Sequence, residues 1–252
     1  MKPSSSSGTV SSSTASSHAA SAVPDALHEA APPTAKRGWV SRAIGFFRQV
    51  FTPVRQRVAP LPDPPPMPAE LIDEDVQLEG EGFGALLGRR YTLPMRSDLE
   101  PIAVMSQIKR NVSNLSPDEF AAFEKTSGVP WALKLGDEFD IQILGPWNGR
   151  VRVIEVAPDA FSFVTLKGHP EAGRIRFAVS KLAPGQLLAS ITSWARSRDA
   201  VVDIGYGKLG IGKNLQAATW TTFLERIAAL AGAEPSGEVA VSEQTLEPEA
   251  VQ

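Results

Sequence analysis

The sequence predicts an α+β domain: an antiparallel meander of strands followed by one long C-terminal helix, with tails at both ends that lack the means to fold. Three observations carry this expectation. The alternating runs Phe161 to Lys167 and Arg174 to Ser180 flank Gly168, His169, Pro170, Glu171, Ala172 and Gly173, the composition of a hairpin whose loop needs positive φ and a fixed bend. Between Glu138 and Arg196 turn residues recur at Gly145, Asn148, Pro158, Asp159, Pro184 and Gly185, too closely for parallel crossovers. In Lys213 to Ala231, residues Leu215, Ala218, Phe223, Ile227 and Leu230 fall near helical spacing, and Gly232 ends the pattern.

Taken in order, residues 1–35 form a Ser/Ala-rich tail: the first 24 positions hold twelve Ser or Thr and almost nothing that could pack. Burial there cannot offset the ordering entropy, so disorder is expected. A Ser-rich, acid-poor start also fits a plastid transit peptide, whereas no apolar run follows Lys2 as a secretory signal requires. Residues 36–58 carry six basic residues and no acid. At 100° per residue, Trp39, Val40, Ala43, Ile44, Phe46, Phe47, Val50 and Phe51 share one arc, with Ser41, Arg42, Arg48 and Gln49 opposite, and Pro53 ends the helix. Two readings stay open. The helix lies on an anionic membrane through Trp39, Phe46, Phe47, Val50 and Phe51 with Arg42 and Arg48 at the headgroups, or it packs on the domain or a partner. Residues 59–69 read as an extended Pro-rich linker, with six prolines between Ala59 and Pro68.

The folded domain is expected over 70–232. Phe83 to Met95 is strand-like. Asp98 is expected to cap a helix running to Lys109 or Arg110, and Ser116, Pro117 and Glu119 to open a second one. Strands are expected at Glu138–Leu144, Arg150–Val156, Phe161–Lys167, Arg174–Ser180 and Leu187–Arg196, six in all with the first. Beyond Gly232, residues 233–252 hold five acids and read as an acidic disordered tail.

Composition excludes several chemistries. The chain has no Cys, so disulfides, thiolate nucleophiles and Cys-ligated metals are ruled out. Only three His are present, two of them, His18 and His28, in the N-terminal tail; no metal site and no cofactor is expected. The domain itself carries too little net positive charge for a nucleic-acid partner, and no run is long and apolar enough to span a membrane. A cytoplasmic, peripherally membrane-associated protein is the expectation, a plastid one the alternative.

GPWNGRVRVIEV, FVTLKGHPEAGRIRFAV and AATWTTFLERIAALAG resemble the family known as domain of unknown function 1990 over roughly Glu81 to Gly232, with the Gly-His-Pro-Glu hairpin the most specific part. That family is placed among the START-related, birch-pollen-allergen-like helix-grip folds. The resemblance implies a curved antiparallel sheet of about seven strands wrapped around the C-terminal helix, with a cavity between them for an apolar small molecule. It brings no catalytic residues.

Gly205, Gly207 and Gly210 match a dinucleotide fingerprint by spacing alone; no βαβ unit surrounds them, and Glu225 comes too early for the ribose. Gly207, Gly212 and Lys213 nearly complete a phosphate loop, but Asn214 stands where a magnesium-ligating hydroxyl is needed. Arg174 and Arg176 fall opposite Ile175, Phe177 and Val179, so the apolar set is expected to face the cavity and the arginines solvent. Tyr91, Trp131, Trp147 and Trp194 read as cavity lining or as ordinary core. His169, with Glu171 to orient it, reads as an acid or base at a cavity rim or as a turn residue.

Two functions follow. One is a noncatalytic carrier of a lipid-like or aromatic molecule in a cavity of a few hundred cubic ångströms, contacted by Tyr91, Trp147, His169, Phe177, Trp194 and Phe223. The other is an enzyme of the hydrolase, cyclase or isomerase class acting on an apolar substrate through His169. A filled interior would favour a structural or interaction domain instead.

Overall fold

The computed structural model describes residues 60–144, 148–204 and 211–247. Of the helices, α1 (Pro101–Arg110) and α2 (Val112–Leu115) follow the first strand, β1 (Phe83–Arg96), and α3 (Ile211–Leu230) follows the last strand of the meander. That meander is β2 (Ala121–Lys125), β3 (Glu138–Ile143), β4 (Asn148–Ala157), β5 (Ala160–Thr165), β6 (Glu171–Ala183) and β7 (Gln186–Ser197). Two short strands, β8 (Glu234–Pro235) and β9 (Ala240–Leu246), come last. Every pairing is antiparallel: the sheet runs β2-β3-β4-β5-β6-β7-β1-β8, and β9 also pairs with β1.

Side-chain alternation sorts this sheet into two buried faces. Tyr91, Leu93, Val151, Val153, Phe161, Phe163, Phe177, Val179, Ala189 and Ile191 point inward to one core with α1, α2 and α3. Helix α3 contributes Ala217, Trp220, Phe223, Leu224, Ile227 and Ala228 to it, so the sheet curves around a helix buried on most of its circumference. This is the helix-grip arrangement. At the β5–β6 hairpin, Gly168 takes φ +97° and Gly173 +156°, the positive-φ turn the sequence predicts.

The outer face carries a second, smaller core. Val76, Ile154, Val164 and Leu166 are buried together, with Met67, Leu71 and Leu78 packed on them. Residues 60–82 thus form a strap across the convex side of the sheet. Trp194 Nε1 donates to Pro62 O at 3.1 Å, Arg174 Nη1 to Pro65 O at 2.6 Å, and Gln77 Nε2 to the carbonyls of His169 and Glu171 at 3.1 and 2.8 Å. Arg174 grips Glu79 through two bonds of 2.8 and 3.1 Å, both side chains almost fully enclosed. Proline keeps the strap extended, since it fixes φ and removes donors.

Several expectations are corrected. The helix predicted to open at Ser116 ends there instead, because the Ser116 hydroxyl donates to Ala121 O and the next residues alternate Ala121 in, Ala122 out, Phe123 in as strand β2. Helix α1 begins at Pro101, behind Glu100 and not Asp98. Among the described residues the strands number nine, not six or seven. Residues 233–247 are not a structureless tail: β9 alternates half-buried and exposed positions, and Glu243 meets the enclosed Arg89 at 2.8 Å. The Pro-rich stretch from Pro60 is docked and not a spacer, and Arg174 is covered, not solvated. The helix read over 36–58, the Gly205–Gly210 fingerprint and Trp147 lie outside the described residues.

Candidate functional site

Most of the space between sheet and helix is filled by rings. Phe161 and Phe177 stack at 4.6 Å, Phe177 meets Phe223 at 5.2 Å and Trp220 at 5.6 Å, and Phe139 meets Phe163 at 5.4 Å. These contacts account for Phe177 and Phe223, which serve as core with Tyr91 and line neither of the two spaces described below. Burial pushes the Tyr91 phenol well above its ordinary range. Trp194 is on the opposite face under the strap, since β7 sends Ile191, Ser193 and Ala195 inward and Trp194 outward. Trp131 is 70% exposed and neither core nor lining.

One unfilled pocket remains at the hairpin end, with a volume of about 50 Å³. Ile141, Val151, Phe163, Ile175 and Trp220 wall it, and Ser193, Thr165, His169, Glu171 and Gln216 supply its polar groups. It is far below the expected few hundred cubic ångströms, because the phenylalanines of β3, β5 and β6 occupy the centre. On the other side of Phe123, a half-open groove of about 390 Å³ runs between the α1–α2 junction, β2 and the loop at Pro130 to Leu133. Phe123 lines both spaces. Of the groove's bases, Lys125 is held by Asp137 and by the carbonyls of Val129 and Ala132, Lys109 by Ala157 O, and Arg110 donates to Ser106 Oγ at 2.8 Å.

The pocket's polar end is a network of buried charge. Glu171 accepts from Arg89 Nη1 at 3.2 Å and from Gln216 Nε2. Gln216 Oε1 in turn accepts from Arg89 Nη1 at 2.7 Å, and Arg89 Nε reaches Glu243 at 2.8 Å. Burial pushes the Glu171 carboxyl up from its ordinary value, with Arg89 and Gln216 pulling the other way. Burial lowers the His169 imidazole to about 4, Arg198 adding to the effect. Its Nδ1 lies 3.0 Å from both the amide N and the carbonyl O of Glu171, accepting from the first in one tautomer and donating to the second in the other. The ring also lies against Gly149, where an added Cβ would come within 2.1 Å of its Cδ2. His169 is therefore a neutral turn residue whose Nδ1 is engaged by the Glu171 backbone. No cluster of metal-ligating residues occurs among the described residues.

Two side chains of the pocket have no hydrogen-bond partner among the described residues: Ser193 Oγ from β7 and Trp220 Nε1 from α3. Sequence reasoning missed both. The signal for Ser193 was present, since Ile191, Ser193 and Ala195 share the inward face and a hydroxyl stands among apolar neighbours there. Nothing in the spacing of α3 marked Trp220 apart from its other buried residues.

Among solved structures, a conserved protein from Geobacillus kaustophilus is 16% identical over 58% of this chain and 99% of its own, with TM-score 0.41. A hypothetical protein from Helicobacter pylori is 9% identical over 69% and 99%, with TM-score 0.43. The norcoclaurine synthase from Thalictrum flavum, in complex with dopamine and hydroxybenzaldehyde, is 9% identical over 59% and 94%, with TM-score 0.37. No curated protein matches the sequence. Residues 129–223, which run from the loop before β3 through the first half of α3, match the family model described as a domain of unknown function, DUF1990.

Proposed function

We propose that this domain binds a small, largely apolar molecule between the sheet and α3. The observation that carries the reading is the apolar pocket left open beside an otherwise close-packed aromatic core, since voids larger than a water are few in a domain and costly to leave empty. At about 50 Å³ it takes one or two water-sized groups, given roughly 30 Å³ for each, so only the end of a ligand enters without rearrangement. The groove beyond Phe123, about 390 Å³, is within the usual size of a small-molecule site and can take the body of a longer one. The enzyme alternative loses support, because burial keeps His169 neutral and weakly basic and its Nδ1 is already engaged by the Glu171 backbone.

Titration with the neutral fluorescent probe N-phenyl-1-naphthylamine tests the reading. Wild type should bind it, and Ala195→Leu, which fills the pocket from β7, should weaken it by about tenfold or more; melting temperature and near-UV circular dichroism report whether that variant remains folded. The milder Val151→Leu should give a smaller loss in the same direction. Equal affinity in folded wild type and both variants would place the probe elsewhere and overturn the proposal.

A further inference from the structure

Building on that binding reading, we propose that the group received by the inner pocket is an uncharged hydrogen-bond acceptor, a ketone or aldehyde carbonyl, held by Ser193 Oγ and Trp220 Nε1. Both residues line the pocket, from β7 and from α3, and Ser193 is 4% and Trp220 9% exposed. Neither polar atom has a partner among the described residues. An indole N–H can only donate, and a serine hydroxyl donates readily, so what the pair lacks is an acceptor.

The pocket's other polar groups are occupied. Thr165 Oγ1 accepts from Gly173 N at 2.9 Å and donates to Gln77 O at 2.8 Å. His169 Nδ1 is engaged by the Glu171 backbone, and Gln216 bridges Arg89 and Glu171. The unmet groups are therefore an indole N–H, which can only donate, and a hydroxyl, and a group that satisfies both must accept, which disfavours an ammonium head. Charge separates the remaining candidates. The guanidiniums nearby are already engaged: Arg174, which lines the pocket, by Glu79 and Pro65 O, and Arg89 by two carboxylates, Glu171 and Glu243. A carboxylate ligand would add a further negative charge beside an enclosed Glu171, and burial already raises that group's pKa, the mark of a place that resists negative charge. A pure hydrocarbon would leave both donors buried and unpaired, an arrangement that costs free energy at each atom. A carbonyl avoids both penalties, and its oxygen with one or two attached carbons suits the volume.

The test uses three compact probes of similar size: cyclopentanone, cyclopentane and cyclobutanecarboxylate. Nitrogen-15 correlation spectra of the full chain follow the Trp220 indole N–H, assigned by its loss in Trp220→Phe. The expected result is a downfield shift of that signal with cyclopentanone alone, and binding of the ketone about tenfold tighter than either other probe, as one to two neutral hydrogen bonds would give. Ser193→Ala and Trp220→Phe should each reduce the ratio of ketone to cyclopentane affinity, the reading that a change in the pocket wall common to both probes does not move. Ser193→Ala removes an atom that supports no bond in the protein, and thermal unfolding checks that Trp220→Phe, which also removes ring atoms packed on Phe177 and Phe223, stays folded. Glu171→Gln should raise carboxylate affinity. Tighter binding of the carboxylate by wild type, or a ketone preference that survives both donor variants, overturns the inference. If naphthylamine binds in the pocket but ketone and cyclopentane bind alike, the carbonyl inference alone fails. If neither naphthylamine nor any of the three binds, the binding reading fails with it.

Discussion

His169 shows how one residue's chemistry is decided by its surroundings. Its imidazole titrates near 4 in the fold against an ordinary value of 6.5, with burial the main cause. A base whose folded pKa is depressed contributes stability that is complete above its unfolded pKa and is lost as pH falls towards the folded one. Stability should therefore decline between about pH 6.5 and 4, by up to ~3 kcal/mol from this group. Glu171 acts in the opposite sense, because its raised pKa favours proton uptake by the fold in acid and returns part of that loss. Urea unfolding at pH 7, 5.5 and 4.5 should show the decline in wild type and a flatter profile in His169→Asn, whose amide oxygen can still accept from Glu171 N. Two glycines around this turn give a second prediction. A Cβ on Gly149 would press on the His169 ring, which can shift, whereas one on Gly173 would lie 2.1 Å from Trp194 O and 2.7 Å from Ala195 Cα, which cannot. Gly173→Ala should cost more than Gly149→Ala, and more than the roughly 1–3 kcal/mol typical of overpacking, as read by thermal unfolding. The hairpin and its positive φ were legible from composition. The fate of Arg174 was not, because period-two alternation tells which face a residue occupies and not what covers that face.

At the scale of elements, the meander and α3 were readable because alternation and helical spacing are local properties of the chain. Strand β2 and the two terminal segments were not, since each acquires structure only from what it meets. Ala121 to Lys125 pairs with β3, β9 with β1, and the prolines of the strap with Trp194 and Arg174. Composition suggested spacer and tail where tertiary contacts supply the partners. The Arg174–Glu79 pair measures the strap's contribution. Removing one member of an enclosed pair strands the other charge, whereas replacing both by apolar residues of similar size is often close to neutral. Glu79→Ala should destabilise the domain by about 3–5 kcal/mol, and the double variant Glu79→Leu with Arg174→Met should recover most of it in chemical denaturation. Equal losses in the single and double variants would mean that the pair is not what anchors the strap. Truncation after Val239 should likewise destabilise the domain, by removing β9 from the edge of β1 and Glu243 from Arg89, and should raise the tendency to self-associate through the uncovered edge.

At the scale of the whole molecule, charge is divided along the chain: residues 36–58 hold six bases and no acid, and residues 59–81 hold seven acids and no base. The basic stretch with its Trp and Phe arc leads to the proposal of weak contact with anionic membrane, and co-sedimentation with phosphatidylserine-containing liposomes should fall when 36–58 is deleted. No change on deletion would end it. The interior volume could not have been read in advance, because it is the small difference between the space a fold encloses and the summed volume of the side chains sent into it. Swapping a single ring can change that difference by more than the pocket itself, and Phe123 is the ring that matters. It lines both the pocket of about 50 Å³ and the groove of about 390 Å³, with Phe139 and Phe163 each 6.4 Å away. Phe123→Ala should join the two spaces and cost about 3–5 kcal/mol of stability. If the binding reading holds, the same variant should bind N-phenyl-1-naphthylamine more tightly than wild type, and Phe123→Leu should fall between them, in fluorescence titrations at a temperature where all three are folded. A variant that loses the expected stability yet gains no affinity would show that the ring fills a core and guards nothing, and the domain would then be read as a structural one.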